Sequence, residues 1–420
     1  MAEGKIVTGV DVGTAKTVSI IARVEEAVNV LGVSEVESRG IKKGQIVDIK
    51  EAVDCINQSL DAAERMAGYS VAHVVASIGG SHIESQNSKG VVAISNPLSE
   101  IVQSDLDRVI DAARAVSLPS SRQIIHVIPR SYSVDGQQGI KDPIGMSGIR
   151  LEVDTHIISG AATSLSNLEK AFSQVGIDLD SVSFSGYASS IAVLSETERE
   201  LGVVLADIGA GTTDIAIYVE GSLAHSSVIP VGARHITNDL AIGLRISLES
   251  AEKIKLFLSK PLKKTKEDDR ITDEIDLSPL GLQEEVRKAS KKTLVEGIIR
   301  PRLNEIFTMV GLEIKRSGFG GQTPAGLVIT GGGALTVGAV NAAKRALAMP
   351  VRIGYPVNIK GIIDEIQDPA FATAIGLITY GATIETSQSL PFGISLPQVS
   401  FVGFSKIFSK VFKFLKSFLP

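Results

Sequence analysis

The sequence predicts an α/β protein in which two similar lobes face each other across a cleft, with a small α+β insertion and a C-terminal amphipathic helix. Two strand–turn–strand units share one plan: an apolar strand ends at Asp11 or Asp207, and a glycine, a threonine and a returning strand follow. The two aspartates are 196 residues apart, which is the spacing of a duplicated domain. The last twenty residues hold six of the 13 phenylalanines and separate apolar from polar positions, which is typical of an amphipathic helix.

The composition is that of a globular protein. A chain of 420 residues, 44% hydrophobic and 21% charged, is long enough for roughly two to three domains and excludes wholesale disorder. A net charge of −5 gives no global basic field, so nucleic acid is not expected as a partner. Cys55 is the single cysteine, so no intramolecular disulfide can form, and a reducing cytosol is the expected setting. No signal peptide and no transmembrane helix are expected.

The first half of the chain alternates strands with helices. Lys5–Val10 and Thr17–Val24 read as strands because β-branched residues dominate them, and Ile49–Ala67 has helical spacing. The segment His82–His156 mixes short strands with one helix and reads as a small α+β insertion. The further elements expected in this half are the strands Val71–Ile78, Gly90–Ser95, Gln123–Val134 and Thr155–Ala162 and the helices Ser104–Val116 and Ser164–Val175.

The second half repeats the strand–turn–strand plan and then becomes helical. Val203–Asp207 and Asp214–Val219 are the paired strands, and Arg234–Leu312 reads as mainly helical. Leu327–Thr330 is a third buried strand that ends in a run of three glycines. Asp364–Ile384 is expected to be an apolar helix, and the uncharged segment that follows it reads as a linker.

Each glycine turn has the chemistry of a phosphate site. Glycine lets the backbone approach a ligand, and successive N–H groups in such a turn form a concave anion site. Carboxylates repel phosphate, so Asp11 and Asp207 are instead expected to hold Mg²⁺ through water on opposite walls, with Asp214 a possible third carboxylate. One such turn would be read as an ordinary loop, whereas two of them with the glycine run Gly331–Gly333 predict a nucleotide cleft.

These motifs resemble the actin–sugar kinase–heat-shock chaperone ATPase superfamily, which implies ATP and Mg²⁺ as cofactors. Asp11–Thr17 and Asp207–Asp214 are similar to its two phosphate loops, and Ile329–Leu335 is similar to its adenosine loop. Ser250–Lys255 either resembles the helix that contacts ribose and adenine or is an ordinary surface charge pair. The nucleotide-binding residues predicted in this way are Asp11, Gly13, Thr14, Lys16, Asp207, Gly209, Gly211, Thr212, Thr213, Glu252, Lys255, Gly331, Gly332 and Gly333.

Within this superfamily, the chain resembles the FtsA family of bacterial cell-division proteins over nearly its whole length. The resemblance includes Ser38–Gly44, His156–Gly160 and Asp368–Phe371, and the insertion lies before the second phosphate loop, where actin has no such domain. It implies an actin-like fold of duplicated ribonuclease-H-like domains. The implied domains are a first lobe (1–81, 158–196 and 365–385), an insertion (82–157), a second lobe (197–233 and 313–364), its helical subdomain (234–312), a linker (386–400) and a membrane-targeting helix (401–420).

The resemblance also implies partners. A protein of this kind tethers the tubulin-like FtsZ to the cytoplasmic face of the cell membrane at the division site, forms filaments and recruits later division proteins. The FtsZ C-terminal peptide would dock on the helical subdomain, where Arg300, Arg302, Asn304 and Glu305 resemble the docking helix. Arginine favours bidentate contacts with the carboxylates of such a peptide. The alternative is an exposed helix with ordinary surface charges.

Catalysis is expected to be slow at most, and no catalytic residue is assigned. In actin-like ATPases, a glutamate or glutamine before the second phosphate loop orients the attacking water, and Ser185 aligns with that position. A serine hydroxyl is too weak a base at neutral pH for this role. Two alternatives are a kinase or ATPase of the same superfamily, for which no catalytic base is found, and a PilM-like pilus-assembly protein. Neither explains the tail.

The tail has a cleanly divided helical wheel. At about 100° per residue, nine apolar residues of 404–419 occupy an arc of roughly 160°, and all seven polar residues lie outside it. Lysines without a single acid favour an anionic membrane surface, although a helix packed on its own protein or on a partner is the alternative. The residues predicted to contact the membrane are Phe404, Ile407, Phe408, Lys410, Val411, Phe412, Lys413, Leu415, Lys416, Phe418 and Leu419.

Overall fold

The computed structural model describes residues 4–95, 100–260, 273–361 and 364–384. The predicted linker (386–400) and membrane helix (401–420) lie outside these residues. The described strands are β1 (Lys5–Val12), β2 (Lys16–Val24), β3 (Val28–Glu37), β4 (Ile41–Lys42), β5 (Gln45–Ile46), β6 (His73–Ile78), β7 (Glu84–Ala93), β8 (Arg122–Val134), β9 (Gln137–Ile140), β10 (Arg150–Ala161), β11 (Asp178–Phe184), β12 (Val203–Ile208), β13 (Thr213–Val219), β14 (Ser222–Ile229), β15 (Glu274–Asp276), β16 (Lys288–Ser290), β17 (Leu327–Thr330), β18 (Val351–Ile353) and β19 (Ile359–Gly361).

Ten α-helices lie within the described residues. They are α1 (Ile49–Ala67), α2 (Gln103–Arg114), α3 (Ala162–Val175), α4 (Ser185–Val193), α5 (Glu196–Leu201), α6 (Arg234–Leu244), α7 (Leu248–Ser259), α8 (Arg300–Ser317), α9 (Ala339–Leu347) and α10 (Ala372–Thr383). A π-helical segment, Thr293–Ile299, runs directly into α8, and short 3₁₀ turns cover Ser278–Leu280, Gly332–Leu335, Asp364–Gln367 and Pro369–Phe371. No described helix has both the length and the apolar character that a bilayer crossing requires.

Two sheets repeat one topology, which confirms the predicted duplication. In the first sheet, β1, β2 and β3 form an antiparallel meander, and β6 and then β11 extend the sheet parallel to β1. In the second, β12, β13 and β14 form the meander, and β17 and β18 extend it in the same way. Equivalent turns therefore join β1 to β2 and β12 to β13, and these turns carry the two aspartates.

The strands that lead to the turns are buried because helices cover the sheets. Every residue of β12 and β13 is buried, as expected for a central pair of apolar strands. Helix α1 packs on β2 and β3, and its predicted bounds are confirmed. Asp48 caps its first turn by accepting from Glu51 N, and Gly68 ends it in the left-handed conformation at φ 63°.

The inserted domain is a four-stranded sheet, ordered β7-β10-β8-β9, with α2 packed on it. Its side chains bond to the backbone of β14, the edge strand of the second sheet. Ser85 Oγ donates to Ser226 O and accepts from Ser226 N, and Asn87 donates to Ala224 O. Because exposed strand edges promote aggregation, the insertion protects this edge as well as adding a domain.

Several details differ from the sequence prediction, which also lacks β11, β14, α4 and α9. Strand β3 has no counterpart in it, although its residues alternate between buried and exposed along part of their length. The segment predicted as mainly helical contains a short hairpin of β15 and β16. The last helix begins at Ala372 rather than Asp364, because Asp368 accepts from Ala370 N and thereby fixes the preceding Pro369–Phe371 segment as a 3₁₀ turn.

Candidate nucleotide site

A cavity of about 250 Å³ lies where the three glycine turns meet. It adjoins a second, more open cavity of about 630 Å³, with which it shares Lys16, Lys255 and Gly332. All but one of the predicted nucleotide-binding residues line the inner cavity. Those that do are Asp11, Gly13, Thr14, Lys16, Asp207, Gly209, Gly211, Thr212, Glu252, Lys255, Gly331, Gly332 and Gly333.

Thr213 is the exception, and its predicted ligand contact needs correction. It is the first residue of β13, it is fully buried, and its hydroxyl donates to Val231 O at 2.8 Å. Thr212, one position earlier, lines the cavity. Adjacent side chains on an extended backbone point in opposite directions, so only one of two consecutive threonines can face a ligand.

The first wall presents Asp11 at the end of β1. Ser77 on β6 donates its hydroxyl to Asp11 Oδ1 at 2.7 Å, and the same hydroxyl accepts from Val12 N at 3.0 Å. Burial raises the pKa of Asp11, while the Ser77 hydrogen bond and the charge of Lys16 oppose that rise. The Ser77 hydroxyl thus orients a carboxylate that lines the cavity.

The second wall presents two aspartates on neighbouring strands. Asp207 on β12 pairs in register with Asp214 on β13, and both are buried. Thr373 donates its hydroxyl to Asp207 Oδ2 at 2.9 Å, and burial raises the pKa of Asp207 to about 6. Asp214 Oδ1 is buried without a hydrogen-bond partner among the described residues, and burial raises the pKa of Asp214 well above its ordinary value. The second wall therefore holds carboxylates that a cation would stabilise in their ionised form.

Two of the three glycines in the third turn are required by the backbone. Gly331 has φ 78°, and a Cβ there would lie 2.3 Å from Asp207 Oδ1. A Cβ on Gly333 would lie 2.4 Å from Ile208 Cγ2. For Gly332, in contrast, the nearest atom among the described residues is Ala370 Cβ at 3.7 Å, so a small side chain would fit the protein and project toward the cavity.

The first and second turns approach each other across the cavity. A Cβ on Gly211 would lie 2.8 Å from Thr14 Oγ1, and this hydroxyl accepts from Gly44 N at 2.9 Å. Gly44, Gly79 and Thr373 also line the cavity, although no prediction included them. The closely spaced glycines Gly40 and Gly44 are a sequence feature that could have pointed to a ligand-binding turn. Thr373 has no such feature, because it lies inside an apolar helix.

Each of the two lysines that line the inner cavity pairs with a glutamate. Lys255 on α7 lies 2.8 Å from Glu252 Oε2, and both side chains bond to the Thr237 hydroxyl. Lys16 contacts Glu35 at 2.6 Å, and its ammonium lies 4.0 Å from the centre of the Phe371 ring. A bound phosphate would compete with Glu35 for Lys16.

Ser185 also lines the cavity, close to Gly79 and Asp214. Its hydroxyl donates to Ile78 O at 3.2 Å, and a Cβ on Gly79 would lie 3.2 Å from that hydroxyl and 3.7 Å from Asp214 Oδ1. From the resemblance, this residue is expected at the position of the group that orients the attacking water, and a serine hydroxyl there gives no general base.

The donor set suits a nucleotide with a hydrated Mg²⁺ ion. Backbone N–H groups of glycine turns bind phosphate oxygens, and Mg²⁺ uses one or two carboxylates and keeps several waters. No group of three or more His, Cys, Asp or Glu side chains within the described residues could hold a metal by itself. The two walls would therefore hold Mg²⁺ together with phosphate and water rather than as a protein-only cage.

We expect Mg-ATP affinity to fall as the pH drops from 7.5 to 5.5. The folded-state pKa of Asp207, about 6, exceeds its ordinary value of 3.8, so this group protonates on acidification and loses the charge that a cation requires. The raised pKa of Asp207 has the opposite pH dependence in its effect on the folding of the unliganded protein. Its contribution to the free energy of unfolding is complete below pH 3.8 and is lost as the pH rises through about 6. The measurement is nucleotide affinity across this pH range, with Mg-free ATP as the control for the ligand's own titration.

The residues predicted to bind the FtsZ peptide lie at the start of α8, and three of them are already paired. Arg302 makes a bidentate contact with Asp239 on α6, at 2.6 and 2.9 Å, and also pairs with Glu305. Arg300 pairs with Glu296. Asn304 and Glu305 are exposed. The Arg302 guanidinium thus joins two helices of the protein itself, and its contact with a peptide carboxylate stays a prediction.

Comparison with known proteins agrees with this architecture. The model of the family described as "Cell division protein FtsA" matches residues 204–376, and that of the "SHS2 domain inserted in FTSA" matches residues 80–159. The cell division protein FtsA of Pseudomonas aeruginosa is 39% identical over 380 residues, which cover 90% of this chain and 89% of that relative.

Solved structures share the fold at much lower identity. A PilM-PilN type IV pilus biogenesis complex matches with a TM-score of 0.63 and 14% identity, over 90% of this chain and 99% of the matched one. MreB5 of Spiroplasma citri bound to ADP matches with a TM-score of 0.51 and 15% identity, over 90% and 95%. These matches confirm the predicted actin-like fold and its insertion, apart from the C-terminal helix, which lies outside the described residues. From the extent of its identity to a curated relative, the chain belongs to the FtsA family of cell division proteins.

Proposed function

We propose that this protein binds ATP with Mg²⁺ in the cleft and anchors the FtsZ ring to the cytoplasmic membrane during bacterial cell division. The observation that carries the proposal is the convergence of three glycine turns and two wall aspartates on one cavity, in a chain of the FtsA family. The structural neighbour described as bound to ADP supports a nucleotide as the occupant of such a cleft. Filament formation and recruitment of later division proteins complete the proposal and rest on family membership.

In the cleft, each group has one task. The N–H groups around Gly13 and Gly211 would bind phosphate oxygens, and Lys16 would leave Glu35 to contact them. Mg²⁺ would neutralise phosphate charge between Asp11 and Asp207. Ser185 leaves the attacking water without a base, so turnover should be slow and the bound nucleotide long-lived. A nucleotide that stays bound for a long time would suit a structural protein, because the ligand would then stabilise one conformation of the cleft rather than act as a substrate that is rapidly consumed.

The tail would supply membrane attachment. Burying a phenylalanine contributes roughly 1.5–3 kcal/mol, and each lysine near an anionic leaflet adds about 1 kcal/mol. A single amphipathic helix is a marginal anchor, and many tails on one filament would raise avidity without new contacts. Polymerisation through the actin-like body and membrane binding through the tail are therefore expected to reinforce each other.

We expect Phe408→Glu to reduce binding to anionic liposomes about tenfold, because it places a carboxylate in the middle of the apolar face. Ser409→Glu is the matched control: it adds the same charge one position away, on the polar face, and should retain most of the binding. The measurement is liposome co-sedimentation, with a chain ending at Ile384 as the blank and FtsZ added in a second series. Equal loss in both variants would mean that net charge, rather than burial of an apolar face, determines attachment.

The proposed FtsZ docking surface is the start of α8 with the adjoining end of α6. Ile242 on α6 is 76% exposed and lies one helical turn from Asp239, which Arg302 contacts. An acidic–apolar peptide could place a side chain on Ile242 and draw Arg302 away from Asp239. Docking would thus require exchange of an existing ion pair, which favours a weak and reversible contact.

A further inference from the structure

One carboxylate on each wall of the cleft, Asp11 or Asp207, accepts a hydrogen bond from a hydroxyl that lies outside the glycine turns. Ser77 on β6 donates to Asp11, and Thr373 in the first turn of α10 donates to Asp207. Ser77 lies on the strand that pairs parallel with β1, whereas Thr373 comes from a helix 166 residues away from Asp207 along the chain. A hydroxyl-to-carboxylate hydrogen bond therefore occurs on both walls, and its donor comes from a strand on one wall and from a helix on the other.

The Thr373 hydroxyl is used in an unusual way for a helical threonine. Other threonine hydroxyls of α10 return to their own helix: Thr379 donates to Ile375 O and Thr383 to Tyr380 O. Such local bonds are the ordinary use of threonine within a helix. Thr373 instead donates to Asp207 on the second sheet. It does so although no side chain caps the N-terminus of α10, where a first-turn hydroxyl would ordinarily bond locally.

The contact fixes a carboxylate that has neighbours on both oxygens. Thr373 donates to Asp207 Oδ2, the Ser189 hydroxyl also interacts with this carboxylate, and Oδ1 lies 2.3 Å from where a Cβ on Gly331 would be. Thr373 is 8% exposed and itself lines the cavity. A donor that is sheltered from water keeps the carboxylate from rotating, and a hydrogen bond to a charged group is roughly twice as strong as a neutral one.

We propose that Thr373 and Ser77 are positioning residues, which orient Asp207 and Asp11 toward a nucleotide-bound divalent cation. The inference rests on the proposed nucleotide function and adds to it that cation recognition depends on two hydroxyls outside the glycine turns. Neither residue would touch the phosphates in this role. Each acts through its aspartate, so its loss should weaken the cation-dependent part of binding more than the rest.

The test compares Thr373→Val with Thr373→Ser by measuring ATP affinity with Mg²⁺ and with EDTA. Valine keeps the shape and removes the hydroxyl, whereas serine keeps the hydroxyl. We expect the ratio of affinity with Mg²⁺ to affinity without it to fall about tenfold in Thr373→Val and to be largely restored in Thr373→Ser. Ser77→Ala should lower the same ratio from the opposite wall, and this arm carries the test if Thr373→Val does not fold.

Three outcomes would overturn the proposal. An unchanged ratio in Thr373→Val and Ser77→Ala would show that the hydroxyls do not act on the cation. Equal weakening with and without Mg²⁺, accompanied by a lower melting temperature, would show a structural role only. A wild-type protein that binds no nucleotide under either condition would remove the proposed function and this inference with it, whereas wild-type binding that ignores Mg²⁺ would overturn the inference alone.

Discussion

Replacing Gly332 by aspartate should abolish nucleotide binding and leave the fold intact. A side chain at this position meets no close protein atom among the described residues and projects toward the cavity. An aspartate there would occupy ligand space and place a negative charge beside the phosphates, in a cleft that already holds four buried or partly buried carboxylates. We expect a loss of ATP affinity of about a hundredfold or more, since both steric exclusion and like-charge repulsion act together.

Neighbouring glycines give the controls. Gly332→Ala should melt like the wild type and bind ATP only modestly more weakly, because a methyl group fits the protein and adds no charge. Gly331→Ala should instead lower the melting temperature, since it combines φ 78° with a Cβ lying 2.3 Å from Asp207 Oδ1. Calorimetric titration with ATP and thermal melting separate the two effects. Wild-type affinity in Gly332→Asp would mean that the nucleotide does not use this turn.

Much of the site follows from the sequence because its main parts are local. A strand, an aspartate and a glycine turn are consecutive residues, so the phosphate turns are legible without any knowledge of the fold. The duplication is also legible, because two turns that lie 196 residues apart repeat one plan. Each turn by itself is recognised from fewer than about ten neighbouring residues.

What the sequence did not show depends on contacts between distant segments. Thr373 reads as one more residue of an apolar helix until α10 is placed beside β12. Arg302 reads as a surface charge until α6 brings Asp239 against it. Thr213 reads as a second ligand hydroxyl until the strand that it begins determines its direction. In all three cases, the tertiary partner decides the role of a side chain whose local context is ordinary.

Gly376 is a further case, and it leads to the second large prediction. This glycine lies inside α10, where alanine would ordinarily favour the helix by about 1 kcal/mol. A Cβ at Gly376, however, would lie 1.8 Å from Ala188 O on α4, so the two helices approach each other more closely than any side chain allows. We expect Gly376→Ala to destabilise the protein by about 3 kcal/mol or more, because backbone atoms cannot move aside as the end of a side chain can.

The consequence should reach the cleft, because both helices begin there. Helix α4 starts at Ser185 and the first turn of α10 carries Thr373, and both residues line the cavity. Forcing the helices apart should therefore move Thr373 relative to Asp207 and weaken Mg-ATP binding in whatever protein remains folded.

Gly297→Ala is the matched control: this glycine also lies within a helical segment, but the nearest atom to its Cβ among the described residues is 4.0 Å away, so the change should be neutral or slightly stabilising. Urea unfolding of both variants, with and without Mg-ATP, measures the difference. Equal stability of the two variants would mean that α4 and α10 can separate at little cost in free energy. The close contact at Gly376 would then not be what fixes the positions of Ser185 and Thr373 in the cleft.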